Sequence, residues 1–81
     1  MNKSSANLET LDARGLLCPL PVIRTQDCIK GLDAGTLLEV FATDPGVLQD
    51  IPAWCRVHGH EFIEARQDGH DIRIILKVCR N

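Results

Sequence analysis

Aromatic residues are scarce: the 81-residue chain has no tyrosine, one tryptophan (Trp54) and two phenylalanines (Phe41 and Phe62). Its core must therefore be aliphatic. A chain this short buries only about 60% of its unfolded surface, which argues against a large enclosed active site. No apolar run approaches the roughly 20 residues that span a bilayer, and the opening Met1-Asn2-Lys3-Ser4-Ser5 lacks the apolar centre of a secretory signal. The expectation is a cytoplasmic protein without membrane attachment. Charge of one sign is not concentrated either. Nine basic residues are interleaved with eleven acidic ones for a formal net charge of -2, leaving no basic surface to track phosphates, so direct nucleic-acid binding is not expected.

Paired cysteine spacing is also missing. The four cysteines stand at 18, 28, 55 and 79 with no C-x-x-C, and His58-Gly59-His60 completes no zinc pattern. An even count suggests two disulfides in a secreted chain, but without an export signal the oxidising compartment is lacking. Free thiols with unequal roles, no metal and no separate cofactor are expected.

What is present is an alternation of short elements. Residues 1–7 are small and polar, the composition of a mobile tail, with a single domain over 8–81. Leu8-Glu9-Thr10-Leu11-Asp12 reads as an edge strand ended by a turn at Ala13-Arg14-Gly15. From Pro19 onward, Val22, Gln26, Ile29 and Leu32 recur at helical spacing, with Gly31 near the C-terminal end. Leu37-Leu38-Glu39-Val40-Phe41-Ala42 is nearly continuously apolar, which suits an interior strand parallel to the first. Thr43-Asp44-Pro45-Gly46 starts a second helix with Leu48, Ile51, Cys55 and His58 on one face and its end at Gly59. Pro52 either kinks that helix or moves its start to about Asp50. Residues 60–66 and 71–78 read as strands around an Asp68-Gly69 hairpin turn, with Ile72, Ile74, Leu76 and Val78 facing the core. The expected fold is an α/β two-layer sandwich, β-α-β-α-β-β, with two helices on one face of a four-stranded mixed sheet.

Cys18 stands apart from the other cysteines because it falls at the N-cap or first turn of the first helix. Unpaired N–H groups and the positive end of the helix dipole favour a thiolate there, and the thiolate is the nucleophile. Pro19 suits the first helical position and Pro21 still lies in the first turn, so the entrance is stiff. The prolines remove two donors, leaving the amides of Leu20 and Val22 to face the sulfur. Leu16, Leu17 and Leu20 form an apolar rim suited to docking against another protein.

These residues resemble the TusA-like, or SirA-like, family of sulfur carrier proteins, whose signature is Cys-Pro-x-Pro. The likeness covers residues 9–78: Leu11-Asp12-Ala13-Arg14-Gly15-Leu16, the motif Cys18-Pro19-Leu20-Pro21, and Ala42-Thr43-Asp44-Pro45-Gly46 followed by Asp50-Ile51-Pro52. The resemblance implies a sulfurtransferase in which Cys18 accepts sulfane sulfur as a persulfide and hands it to a cysteine of an acceptor protein. It implies donors of the cysteine desulfurase or rhodanese-like kind, and destinations in sulfur oxidation, transfer-RNA thiolation or cofactor synthesis. Members that serve transfer-RNA thiolation carry charged residues where this chain has Leu17 and Leu20, so it looks more like the broader set near sulfur-oxidation genes.

Further candidates are weighed against plainer roles. Arg14 and Arg24 flank the motif and could steer an acidic partner. Asp44 could cap the second helix or help position a partner. Cys55 could accept sulfur or form a disulfide with Cys18, but its helical spacing with Leu48 and Ile51 favours a core role, while Cys28 reads as core filler and Cys79 as an incidental surface thiol. A thiol redox protein is the alternative enzyme class, although Pro21 occupies the position where C-x-x-C needs its second cysteine. A non-catalytic interaction or regulatory module is the other alternative. A monomer working with donor and acceptor proteins is the expected form.

Overall fold

The computed structural model describes residues 8–79; the tail expected at residues 1–7 lies outside them. The elements are β1 (Leu8–Ala13), α1 (Leu20–Ile29), β2 (Leu37–Ala42), α2 (Val47–His58), β3 (Glu61–Asp68) and β4 (Asp71–Lys77). The strands form one mixed sheet in the order β1-β2-β4-β3. β1 and β2 are parallel, with Leu11 beside Val40, and β4 is antiparallel to both its neighbours. Parallel neighbours need a crossover connection, which α1 provides. Because β1 and β2 run the same way, the loops leaving them emerge at the same end of the sheet. Residues 14–19 and 43–46 are thereby brought together.

Strand alternation separates the two faces. Leu38, Val40, Ala42, Ile72, Ile74 and Leu76 are buried in the core, whereas Leu37, Glu39, Phe41, Arg73 and Ile75 are only half-buried on the opposite face. That open face carries an ionic chain across strands: Arg73 pairs with Glu39 and reaches Glu64 at 3.5 Å. Each helix contributes a stripe at i, i+4 and i+8: Pro21, Thr25 and Ile29 from α1, and Val47, Ile51 and Cys55 from α2. Burying a side chain such as Ile51 contributes about 1.5–3 kcal/mol.

Several expectations shift by a residue or a face. The buried stripe of α1 runs through Pro21 and Thr25, while Gln26 is exposed and Val22 half-buried. Thr25 can be buried because its hydroxyl donates to the Pro21 carbonyl at 2.8 Å. On α2, Cys55 is in the core but His58 is exposed, its ring 4.8 Å from that of Trp54. This helix begins at Val47 rather than near Asp50 and continues through Pro52, which cannot donate to the carbonyl one turn back. Its end is the expected one, Gly59 at φ 80 in the left-handed region. The hairpin turn is Gly69-His70 rather than Asp68-Gly69, since Asp68 pairs with Asp71. Gly69 takes φ 64, the first central position of a tight hairpin turn. No helix among the described residues is long and apolar enough to cross a membrane.

Candidate functional site

Cys18 sits in the loop between β1 and α1, one residue ahead of the α1 N-cap, which is Pro19. The Cys18–Pro19 peptide is cis. Leu20 and Pro21 open the helix, and Pro21 is buried while Pro19 and Leu20 are exposed. Two side chains of the β2–α2 loop hold the cysteine loop in place. Thr43 Oγ1 accepts the Gly15 N–H at 2.9 Å, and Asp44 Oδ2 accepts the Cys18 N–H at 2.8 Å. Gly15, at φ 82, makes the turn that aims its N–H this way.

The sulfur itself meets the entrance of α2. A methyl group placed on Gly46, the N-cap of α2, would lie 3.2 Å from Cys18 Sγ and 3.4 Å from Asp44 Oδ2. Gly46 has φ -58, an ordinary helical value, so space around the sulfur, not backbone freedom, is what this glycine provides. Asp44 is not the side-chain cap of α2: its second oxygen reaches only the Gly46 N–H at 3.4 Å, and no side chain caps that helix. Its main hydrogen bond ties the two loops together.

The thiol is not acidified as the helix-entrance argument expects. Burial, the largest influence, and the carboxylates of Asp44 and Asp50 push Cys18 up to about 12. Of the two amides expected to face the sulfur, that of Leu20 is engaged elsewhere. The Leu20 N–H donates to the Leu17 carbonyl at 2.9 Å, and Pro21 has none. Asp44 shifts the other way: the N–H donated by Cys18 holds its carboxyl below the usual value. The resting site is therefore a neutral thiol beside carboxylates, half-buried but reachable.

Around it lies an apolar ridge. Leu17 is 72% exposed, Leu20 47% and Ile23 46%, while Leu16 packs partly against the core. Ile23 was not among the expected rim residues, although its i+3 spacing from Leu20 puts both on one helix side. Arg24 is exposed on the same helix. Arg14 is held by Asp12 at 2.9 Å and lies 5.9 Å above the Phe41 ring. Cys28 is half-buried and Cys55 buried, and the Cys79 N–H donates to His60 Nδ1 at 3.1 Å. All four cysteines are free thiols, and the described residues hold no cluster able to bind a metal ion. A cavity of about 360 Å³ opens between Phe41, Arg66, Asp68, Asp71, Ile72 and Arg73, and one of about 200 Å³ between Pro52, Cys55, Arg56, His60 and Phe62. Cys18 lines neither. Its surroundings suit contact with another macromolecule better than enclosure of a small one.

Comparison with known proteins agrees with this geometry. The profile of the family described as Sulfurtransferase TusA matches residues 9–78. The chain is 36% identical over 69 residues to the sulfur carrier protein TusA of Allochromatium vinosum, covering 85% of this chain and 91% of that one. It is 42% identical over 67 residues to YrkF of Bacillus subtilis, covering 83% of this chain but only 36% of YrkF, a longer protein. Among solved structures, a SirA-like protein from Desulfitobacterium hafniense superposes with a TM-score of 0.70 at 26% identity, covering 90% of this chain and 99% of the other.

Proposed function

This chain belongs to the sulfurtransferase TusA family, and we propose on that premise that Cys18 is the atom-carrying residue of a sulfur carrier, cycling between thiol and persulfide. In the loading step the Cys18 sulfur, as thiolate, attacks the terminal sulfane sulfur of a donor persulfide. One S–S bond forms at Cys18 as the donor's S–S bond breaks, and the electron pair leaves on the donor cysteine. The thiol proton passes to solvent, so no external oxidant or reductant is consumed. Unloading is the same exchange with the roles changed, as an acceptor cysteine attacks the terminal sulfur. Sulfur is carried covalently, without a separate cofactor.

The observation that best supports this reading is the presentation of Cys18: a half-buried free thiol whose backbone N–H is held by Asp44, whose sulfur has room beside Gly46, and whose loop and following helix expose Leu17, Leu20 and Ile23. Pro19 and Pro21 stiffen the entrance, and Leu17 and Leu20 give the partner protein an apolar footing. Donors are of the cysteine desulfurase or rhodanese-like class, and acceptors carry a reactive cysteine. Arg24 is placed to assist docking at the same helix. The test follows labelled sulfur from a persulfidated donor onto this chain and then onto an acceptor. Label should pass through wild type and stop entirely with Cys18→Ser. A variant that relays label as wild type does would remove Cys18 from the pathway.

A further inference from the structure

The immediate surroundings of Cys18 have the wrong sign for a nucleophile that must work unaided. Asp44 lies against the sulfur's niche, its Oδ2 bonded to the Cys18 N–H at 2.8 Å and, like Cys18 Sγ, within 3.4 Å of where a Gly46 methyl would stand, and Asp50 in the first turn of α2 also raises the same thiol. An acidic group at a helix entrance complements the dipole, but two carboxylates facing one thiol disfavour the anion through which sulfur exchange proceeds. No described lysine or arginine offsets them. Arg14 is engaged by Asp12 and Lys30 by Asp27, and neither Asp44 nor Asp50 makes an ion pair among the described residues. The missing charge adjoins the ridge of Leu17, Leu20 and Ile23, where apolar surface already invites a macromolecular partner.

We propose that sulfur transfer through Cys18 is gated by a basic side chain of the donor protein, which seats on the Leu17, Leu20 and Ile23 ridge and pairs with Asp44 and Asp50. The inference rests on the sulfur-carrier reading above. In the free protein the carboxylates add to burial in keeping the thiol in its unreactive form and spare it from stray electrophiles. Docking brings an arginine or lysine to them, which lifts the carboxylates' share of the penalty on the thiolate at the moment the donor persulfide is in line. The bond changes are those of the loading step, and the cation takes no part in them beyond pairing charge. Charge complementarity identifies the occupant: a protein face with apolar side chains and at least one basic group beside its persulfide-bearing cysteine.

Two readouts on the full-length chain separate this gate from simpler roles. The first is alkylation of Cys18 by neutral iodoacetamide, which reports the thiolate without attracting or repelling the reagent. The second is loading from whichever persulfidated cysteine desulfurase or rhodanese-like protein loads the wild type. Asp44→Asn with Asp50→Asn keeps an oxygen to accept the Cys18 N–H. Alkylation should rise about tenfold at pH 7, while loading from the protein donor should fall about tenfold and lose its sensitivity to salt. If donor loading rises along with alkylation, or neither rate moves, the gate is wrong. Failure of the carrier reading looks different: wild type then takes sulfur on Cys18 from neither a protein donor nor inorganic polysulfide, and the gate falls with it.

Discussion

Replacing Gly46 by alanine should separate sulfur loading from stability. The added methyl would sit 3.2 Å from Cys18 Sγ, inside the ordinary contact range that starts at 3.4 Å, so the sulfur must give way by a few tenths of an ångström. Turning the cysteine off its rotamer costs about 0.5–1.5 kcal/mol. Against that, Gly46 already has helical φ -58, and alanine at a compatible position gains about 0.4–1 kcal/mol by restricting the unfolded chain. The two effects nearly cancel, so the melting temperature should move by less than about 8 °C. Loading should suffer more. A misplacement of 1 Å can cost about a hundredfold in rate, so a few tenths should cost about three- to tenfold. The second sulfur, about 2.05 Å from the first, must also find room beside the new methyl. The assay is the initial rate of persulfide formation on Cys18 by intact mass, alongside a thermal melt. Loading within about twofold of wild type in a folded Gly46→Ala protein would refute the claim that this glycine makes room for the sulfur.

Other outcomes follow from the same geometry. Leu17→Glu at a 72% exposed position should change stability by less than about 0.5 kcal/mol yet slow transfer from a protein donor, as read by loading kinetics beside a melt. Because Cys18 is pushed up to about 12, its alkylation should climb about tenfold per pH unit from pH 7 to beyond 9 without the plateau of an ordinary thiol; peptide mapping reads this site by site. A raised thiol also contributes stability that is full below its unfolded value and lost as pH rises towards the folded one, so alkaline unfolding should come later in Cys18→Ser. Cys55→Ala, deleting a core sulfur that is 1% exposed, should cost about 1–2 kcal/mol in denaturant unfolding while Cys18 loads at the wild-type rate.

The sequence made the architecture readable because its elements are short and differently patterned. Leu37–Ala42 is too brief and too apolar to be anything but an interior strand, and Ile72, Ile74 and Leu76 alternate cleanly with Arg73, Ile75 and Lys77. Helix faces were less legible. The spacing of Val22, Gln26, Ile29 and Leu32 points to a face offset from the buried one, which runs through Pro21 and Thr25, the threonine buried because its hydroxyl is satisfied by the Pro21 carbonyl. Cys18 was legible from its two prolines. Its neighbourhood was not, because Asp44 and Gly46 reach it only through the parallel pairing of β1 and β2, across 26 residues in the case of Asp44. A glycine in Asp44-Pro45-Gly46 reads as a turn residue, and nothing local reveals that a sulfur atom occupies the space beside it. The acid shift expected of a cysteine near a helix start failed for a related reason: burial is the largest influence on the thiol, the Leu20 amide is used by Leu17, and the opposing carboxylates come from the other loop and the first turn of α2.

The central claim is that Cys18 alone carries sulfur, and intact mass spectrometry after incubation with a sulfane-sulfur donor tests it most directly. Wild type should gain the mass of one sulfur atom, removable by a thiol reductant and mapped to the peptide containing Cys18. Cys28→Ser, Cys55→Ala and Cys79→Ser should gain the same mass, and Cys18→Ser none. Undiminished loading of Cys18→Ser would contradict the account.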